Sequence, residues 1–182
     1  MAQSSVIVFT GENKGKTEAA LGLAMRALGA DFRVLFVQFI KAWEVSEDKT
    51  LSVLAEAFGD KLTTVKGGKG FYDAGDLSAK GVSDAEHKRI ANETYDTLLK
   101  EAQLGNYDLV VADEINNAVH DGLLTKDQLR ALIETRNDTT HLCMTGRDFP
   151  KDLLPLVDYA TDMRKLKHPY DHGDLAIVGI DY

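Results

Sequence analysis

The sequence predicts an α/β domain built on a mainly parallel sheet with helices on both faces. Three observations predict it. Short apolar, β-rich runs alternate with stretches of helical period along the chain, the order that strand–helix–strand crossovers produce. The run Arg33–Phe39 is continuously apolar at its centre, as strands covered on both faces of a parallel sheet usually are. The run Val6–Thr10 breaks into a glycine-bounded loop that ends in Gly15-Lys16-Thr17, where a helical pattern begins. At 182 residues the chain suffices for one well-filled core and is short for two, so a single domain over residues 1–182 is expected.

Each element follows from its local pattern. Val6–Thr10 reads as a buried strand, and Thr17–Leu28 as a helix whose apolar face includes Leu21, Ala24, Met25 and Leu28, with Gly29 placed to end it. Arg33–Phe39 is the second strand, Lys49–Phe58 a helix, and Leu62–Val65 a short strand. Ser83 followed by Glu86 is a capping-box pattern that opens a long helix to Leu104. Asp108–Asp113 is a buried strand, Lys126–Thr135 a helix, and His141–Thr145 the next strand. Two final apolar patches, Leu156–Met163 and Leu175–Ile180, are expected to complete the sheet. Residues 65–81 hold five glycines and no period, which marks a functional loop or plain surface.

The first loop carries the chemistry. A strand, a glycine turn and a helix N-terminus aim consecutive backbone N–H groups and the positive end of the helix at an anion. Lys16 adds a mobile positive charge, and Thr17 a hydroxyl for Mg²⁺. The common phosphate-binding loop has four residues between its first glycine and the Gly-Lys pair; here Gly11 is followed by three. The apolar run Leu109–Ala112 ends in Asp113 and Glu114, where such proteins hold magnesium directly or through water. Strand alternation points these two acids to opposite sides, so one of them is expected to face the phosphates. Thr145-Gly146-Arg147 is a third strand-to-turn element, and its guanidinium can fork onto phosphate oxygens. A surface arginine paired with Asp148 or Asp152 is the plain alternative.

Composition excludes several classes. The net charge of −8 disfavours a surface that coats nucleic acid. No apolar run reaches the ~18 residues of a membrane span. Met1-Ala-Gln-Ser-Ser has no signal-peptide character, and Cys143 is the sole cysteine, so neither a disulfide frame nor a cysteine metal cluster is available. A cytoplasmic protein is expected.

These residues together resemble a family. The short loop, the helix segment Ala19–Ala27, the strand end Val37-Gln-Phe-Ile-Lys41, the acidic strand Val110–Ile115, the Thr145-Gly-Arg147 turn and the tail Lys167-His168-Pro169-Tyr170 through Gly179-Ile180-Asp181-Tyr182 are similar to the P-loop ATP:corrinoid adenosyltransferases, in order and over nearly the whole chain. The resemblance implies a P-loop NTPase-like (RecA-like) fold. It also implies an enzyme that attaches the 5′-deoxyadenosyl group of Mg-ATP to Co(I) of a corrinoid and releases triphosphate. By carry-over, ATP would lie on Gly11, Glu12, Asn13, Lys14, Gly15, Lys16, Thr17 and Glu18, reversed relative to common NTPases, with Arg26 near its ribose end and Arg147 on its phosphates. Lys16 and Arg147 would be the catalytic groups, Thr17, Asp113 and Glu114 the magnesium site, and Phe71, Tyr72 and Asp73 the corrinoid contacts. A reduced flavoprotein donor and a homodimer are implied as well.

The chain departs from the family at three places. Asn13 stands where a glycine is usual, and asparagine tolerates a positive φ. In Gly68-Lys-Gly-Phe71-Tyr72-Asp73, Asp73 replaces the tryptophan that lies against the lower corrin face. Trp43 follows Ala42, where glycine is typical, and is open between a site aromatic and a core anchor; His168 is open between a cobalt-side group and a packed tail histidine. Two further readings remain: a small-molecule kinase, for which Asp113 is the obvious base, and a diverged nucleotide or corrinoid binder without catalysis.

Overall fold

A computed structural model describes residues 4–40, 45–68, 83–173 and 175–181. Its strands are β1 (Val6–Thr10), β2 (Val34–Gln38), β3 (Leu62–Lys66), β4 (Leu109–Asp113), β5 (His141–Thr145) and β6 (Tyr159–Asp162). Its α-helices are α1 (Lys16–Gly29), α2 (Ser46–Phe58), α3 (Asp84–Leu104), α4 (Ile115–His120) and α5 (Lys126–Thr135). The strands form one six-stranded sheet in the order β3-β2-β4-β5-β1-β6, and every pairing is parallel.

Period-two alternation divides the sheet's side chains between two cores. Val34 and Phe36 of β2, Leu109 and Val111 of β4 and Cys143 of β5 pack with Ala20, Ala24, Ala27 and Leu28 of α1 and Leu51 of α2. Leu35 and Val37, Val110 and Ala112, and Leu142 and Met144 face the other way, onto α3, α4 and α5. This two-sided covering is why the strand interiors read as unbroken apolar runs. It also leaves the carboxyl ends of all six strands on one edge, where ligands of open α/β sheets bind.

Several expectations are corrected. The α1 face is rotated from the expected one: the small residues Ala20, Ala24 and Ala27 let the helix approach the sheet, while Met25 is 59% exposed. Gly29 is the last residue of the helix, as expected, and the chain then reverses at Asp31, whose φ is 71°. The sheet takes Tyr159–Asp162 as its edge strand, but Leu175–Ile180 forms no strand: Gly179 has a φ of 78°, and the amides of Ile180 and Asp181 turn back onto the Ile177 carbonyl. The six-residue α4 has too few turns to leave a periodic signal. Trp43, Phe71, Tyr72, Asp73 and most of the glycine-rich stretch 65–81 lie outside the described residues.

Two helices are capped by side chains. Ser83 Oγ accepts the Glu86 amide at 3.2 Å, as its spacing predicts, although the Glu86 carboxylate pairs with Arg89 rather than returning to the cap. At α5 the box is reciprocal: Thr125 Oγ1 accepts the Gln128 amide at 3.2 Å, and Gln128 Oε1 accepts the Thr125 amide at 2.9 Å. Thr125→Ala should lower unfolding stability by about 1 kcal/mol, and Thr125→Ser should restore most of it. Urea denaturation checks this, and equal midpoints for all three proteins would contradict it.

Candidate functional site

The loop between β1 and α1 is shaped by two glycines with positive φ. Gly11 has a φ of 107°, and a Cβ there would lie 2.5 Å from Asp162 Oδ1 and 2.7 Å from the Met163 backbone. The close approach follows from β6 pairing with β1, with the Met163 amide donating to the Thr10 carbonyl at 2.8 Å. Gly15, at a φ of 114°, directly precedes the first residue of α1. Asn13 is not among the residues with positive φ, so its backbone makes no demand for glycine.

Lys16 is the first residue of α1, and its Nζ bends over the loop to donate to the carbonyls of Gly11, at 2.8 Å, and Asn13. Partial burial holds its pKa below the ordinary lysine value; the Glu114, Glu12 and Glu18 carboxylates oppose the shift, and Arg147 adds to it. That last contribution places the Arg147 charge in the same electrostatic field as Lys16, although 131 residues separate them in sequence.

Thr17 turns inward. Its Oγ1 donates to the Asp113 carboxylate, at 3.0 Å from Oδ1 and 3.3 Å from Oδ2. Asp113 ends β4 and is fully buried, and its Oδ1 also accepts the Thr145 hydroxyl at 2.7 Å. Thr145 Oγ1 in turn accepts the Glu114 amide at 2.8 Å. Glu114 leaves the strand conformation, with a φ of 62°, so simple alternation does not govern its direction. Asp113 faces α1, while Glu114 acts on Lys16 electrostatically. Hydroxyl and carboxylate oxygens are the hard donors that suit Mg²⁺, which completes its shell with water and phosphate oxygen rather than an all-protein cage.

Arg147 follows Gly146, whose φ is 128° and whose Cβ would fall 2.7 Å from the Asn117 amide. The start of α4 therefore sits directly against the turn. Asn117 Oδ1 accepts the Arg147 amide at 2.8 Å, and Asn116 Nδ2 donates to the Gly146 carbonyl at 3.3 Å. The guanidinium is half-exposed, lies 3.7 Å from Asp121, and keeps a buried Nε that has no hydrogen-bond partner among the described residues. It does not pair with Asp148 or Asp152, which bind His120 and Lys126. Asn116, Asn117 and Asp121 were not legible as site residues, because their role depends on how α4 packs and no motif spacing records it.

The remaining candidates separate. Lys14 and Glu18 form an ion pair at the loop mouth, and Lys14 is also 3.8 Å from Asp181, which brings the tail beside the loop. Glu12 is exposed on the loop. Arg26 is exposed on the last turn of α1, about 15 Å of helix rise from Lys16, and is not brought to the loop. His168 Nδ1 accepts the Tyr170 amide at 3.1 Å and caps a short turn in the tail.

Comparison with known proteins agrees on fold and family. The profile of the family described as ATP:corrinoid adenosyltransferase BtuR/CobO/CobP matches residues 2–182. A corrinoid adenosyltransferase of Escherichia coli K12 is 35% identical over 97% of this chain and 85% of its own length. The corrinoid adenosyltransferase CobA of Salmonella typhimurium is 33% identical over 97% and 85%. Among solved structures, the type III secretion ATPase EscN of enteropathogenic E. coli superposes with a TM-score of 0.53 at 13% identity, covering 88% of this chain and 42% of EscN, a likeness of fold alone.

The lowered Lys16 pKa has a signed consequence. Between the folded and unfolded values the unfolded chain binds the extra proton, so this residue makes stability rise with pH across that interval. Affinity for a polyanion needs the same proton and should fall there instead. Calorimetric titration with tripolyphosphate from pH 7.5 to pH 10 should show wild type losing affinity below the ordinary lysine range, with Lys16→Arg weaker but lacking that limb. An identical limb in both proteins would remove Lys16 from anion binding.

Proposed function

The chain belongs to the ATP:corrinoid adenosyltransferase family, and on that premise we propose that it transfers the 5′-deoxyadenosyl group of ATP to Co(I) of a corrinoid, within one domain spanning residues 1–182. The carrying observation is the convergence of Lys16, Arg147 and the Thr17–Asp113 pair on one loop mouth. In this reaction a Co–C bond forms as the C5′–O bond breaks, cobalt passes from Co(I) to Co(III), and the electron pair leaves with triphosphate. The charge that develops is therefore phosphate charge. Lys16 and Arg147 are placed to neutralise it, and the backbone amides of residues 11–17 orient it. Thr17 and Asp113, with Glu114 nearby, would hold Mg²⁺, which supplies further neutralisation of the leaving polyphosphate.

No proton has to be removed from the nucleophile, and the site is consistent with that. Asp113, the base a kinase would need, already accepts hydrogen bonds from the Thr17 and Thr145 hydroxyls, an arrangement that suits holding those groups in place better than taking a proton from an acceptor substrate. Phe71, Tyr72 and Asp73 would contact the corrinoid, and a reduced flavoprotein would deliver the electron that makes Co(I). A cytoplasmic homodimer fits the family and the exposed apolar side chains Tyr159, Leu166, Tyr170 and Leu175 of the edge strand and tail. Among the described residues no helix is long and apolar enough to cross a membrane.

Anaerobic incubation of the protein with Mg-ATP and a chemically reduced Co(I) corrinoid tests the proposal. A light-sensitive cobalt–carbon product and inorganic triphosphate should appear one to one. Lys16→Ala and Arg147→Ala should each lose about 10²–10³-fold in turnover, the cost of deleting a donor aimed at developing negative charge. ADP as the product, or ATP binding with no alkylated corrinoid, would overturn the assignment.

A further inference from the structure

One side of α4 grips the arginine turn residue by residue. Asn116 Nδ2 donates to the Gly146 carbonyl at 3.3 Å, Asn117 Oδ1 accepts the Arg147 amide at 2.8 Å, and His120 Nδ1 lies 2.7 Å from Asp148 Oδ2. Asp121, just past the helix end, lies 3.7 Å from the Arg147 guanidinium. Positions 116, 117, 120 and 121 share one side of a helix, so a single short element meets three consecutive residues of the turn. The turn needs such a partner. Gly146 and Asp148, on either side of Arg147, both have positive φ, 128° and 53°, a conformation that residues other than glycine visit rarely. A Cβ at Gly146 would fall 2.8 Å from Asn117 Oδ1, so the glycine is what lets that side chain reach the next amide. The guanidinium itself has little to fix it. Its Nε is buried with no hydrogen-bond partner among the described residues, and the Asp121 contact is longer than a hydrogen bond.

We propose that Asn117 is a positioning residue for Arg147: by holding its backbone amide, it sets the direction in which the guanidinium leaves the turn. His120 supports it by holding Asp148 on the other side. The inference rests on the reading above, in which Arg147 meets the charge that develops on triphosphate. A peptide N–H requires an acceptor, so the oxygen of the Asn117 amide must face it. The hydrogen bond acts at the root of a long side chain, where a slight rotation displaces the far end most. A displacement of about 1 Å in a reacting site can cost about 10²-fold in rate. A root fixed by α4 therefore supplies the preorganisation that stabilising developing charge demands. A side chain that only filled space between α4 and β5 would contribute stability, but it would have no reason to act through Arg147.

A double-mutant cycle separates those two roles. Wild type, Asn117→Leu, Arg147→Ala and the double variant would be compared for tripolyphosphate affinity by calorimetry, which needs no corrinoid, and for kcat and ATP KM in adenosyl transfer. Arg147→Ala should weaken tripolyphosphate about tenfold or more, the loss of charge-assisted hydrogen bonds. Asn117→Leu, which keeps size and removes the acceptor, should weaken it about 3–10-fold and lower kcat about 10–50-fold, with ATP KM changed less than about threefold. Adding Asn117→Leu to Arg147→Ala should change tripolyphosphate affinity and kcat by less than about twofold. His120→Leu, at a half-exposed position, should act the same way by about two- to threefold, again only when Arg147 is present. It decides the matter if Asn117→Leu does not fold. Equal losses with and without Arg147, or no loss in a folded variant, would overturn the inference while the adenosyl-transfer reading stands. Affinity and turnover both unmoved by Arg147→Ala would remove Arg147 from the site, and this inference with it. A wild type that shows the expected cycle in tripolyphosphate binding but alkylates no corrinoid would overturn the adenosyl-transfer reading and leave the role of Asn117 standing.

Discussion

The site depends on one buried carboxylate. Asp113 is removed from solvent at the end of β4, and a charge in that position is tolerated only when its oxygens are occupied by donors. Thr17 from α1 and Thr145 from β5 supply hydroxyls to it, and Thr145 also accepts the amide of Glu114. Three segments that are remote in sequence are thereby held around one pair of oxygens: the phosphate loop, the acidic strand end and the arginine turn. Removing either hydroxyl would expose the cost of the charge, so the constraint is structural as well as chemical. A metal ion bound there would draw on the same Thr17 and Asp113 oxygens, which gives a physical reason for the fold and the site to share their most buried polar group.

Backbone sterics set the second constraint. At Gly11 and Gly146 the chain has a positive φ and another strand or helix backbone lies within 3 Å of where a Cβ would be. The two positions flank the loop mouth from β1 and from β5. Close approach at Gly11 comes from β6 and at Gly146 from α4, so the edge strand and a six-residue helix, neither of which carries the loop itself, determine how tightly the cradle closes. Lys16 fits this picture: it reaches back to loop carbonyls in a mouth tight enough to desolvate it in part.

Much of this was legible in the sequence, for identifiable reasons. β1, α5 and β5 were placed to the residue because their apolar periods are abrupt and their ends are marked by Gly11, Thr125 and Gly146. Lys16, Thr17, Asp113 and Arg147 were legible because each lies at a strand end or helix start, positions that local pattern reveals. What was not legible is tertiary in origin. The α1 face is set by how closely alanines allow it to approach the sheet, which makes Met25 a surface residue despite its hydrophobicity. The reversal at Asp31, just beyond the helix end at Gly29, depends on the path into β2. Asn116, Asn117 and Asp121 act through α4 packing on Gly146, and Gln38 reads as one polar residue in an apolar run until its register with Asp113 is known. The apolar tail Leu175–Ile180 has the composition of a strand, but the turn around Ile177–Asp181 breaks it.

Charge is distributed across the carboxyl edge of the sheet in a way that suits a reaction whose charge moves in one direction. On the β1–β5 side, Lys16 and Arg147 present positive charge, and neither is locked in a close ion pair: Lys16 donates to loop carbonyls, and Arg147 has an aspartate 3.7 Å away. Phosphate oxygens can replace carbonyl partners without an ion pair being broken, whereas a cation already locked in a close bidentate pair would have to lose that pair first. On the β2–β3 side, Lys66 is closely paired with Asp48, and Gln38 offers only neutral hydrogen bonds. Among the described residues named here, the cations without a close carboxylate partner therefore lie on the β1–β5 side. In the proposed reaction the leaving triphosphate would meet those cations as its charge develops.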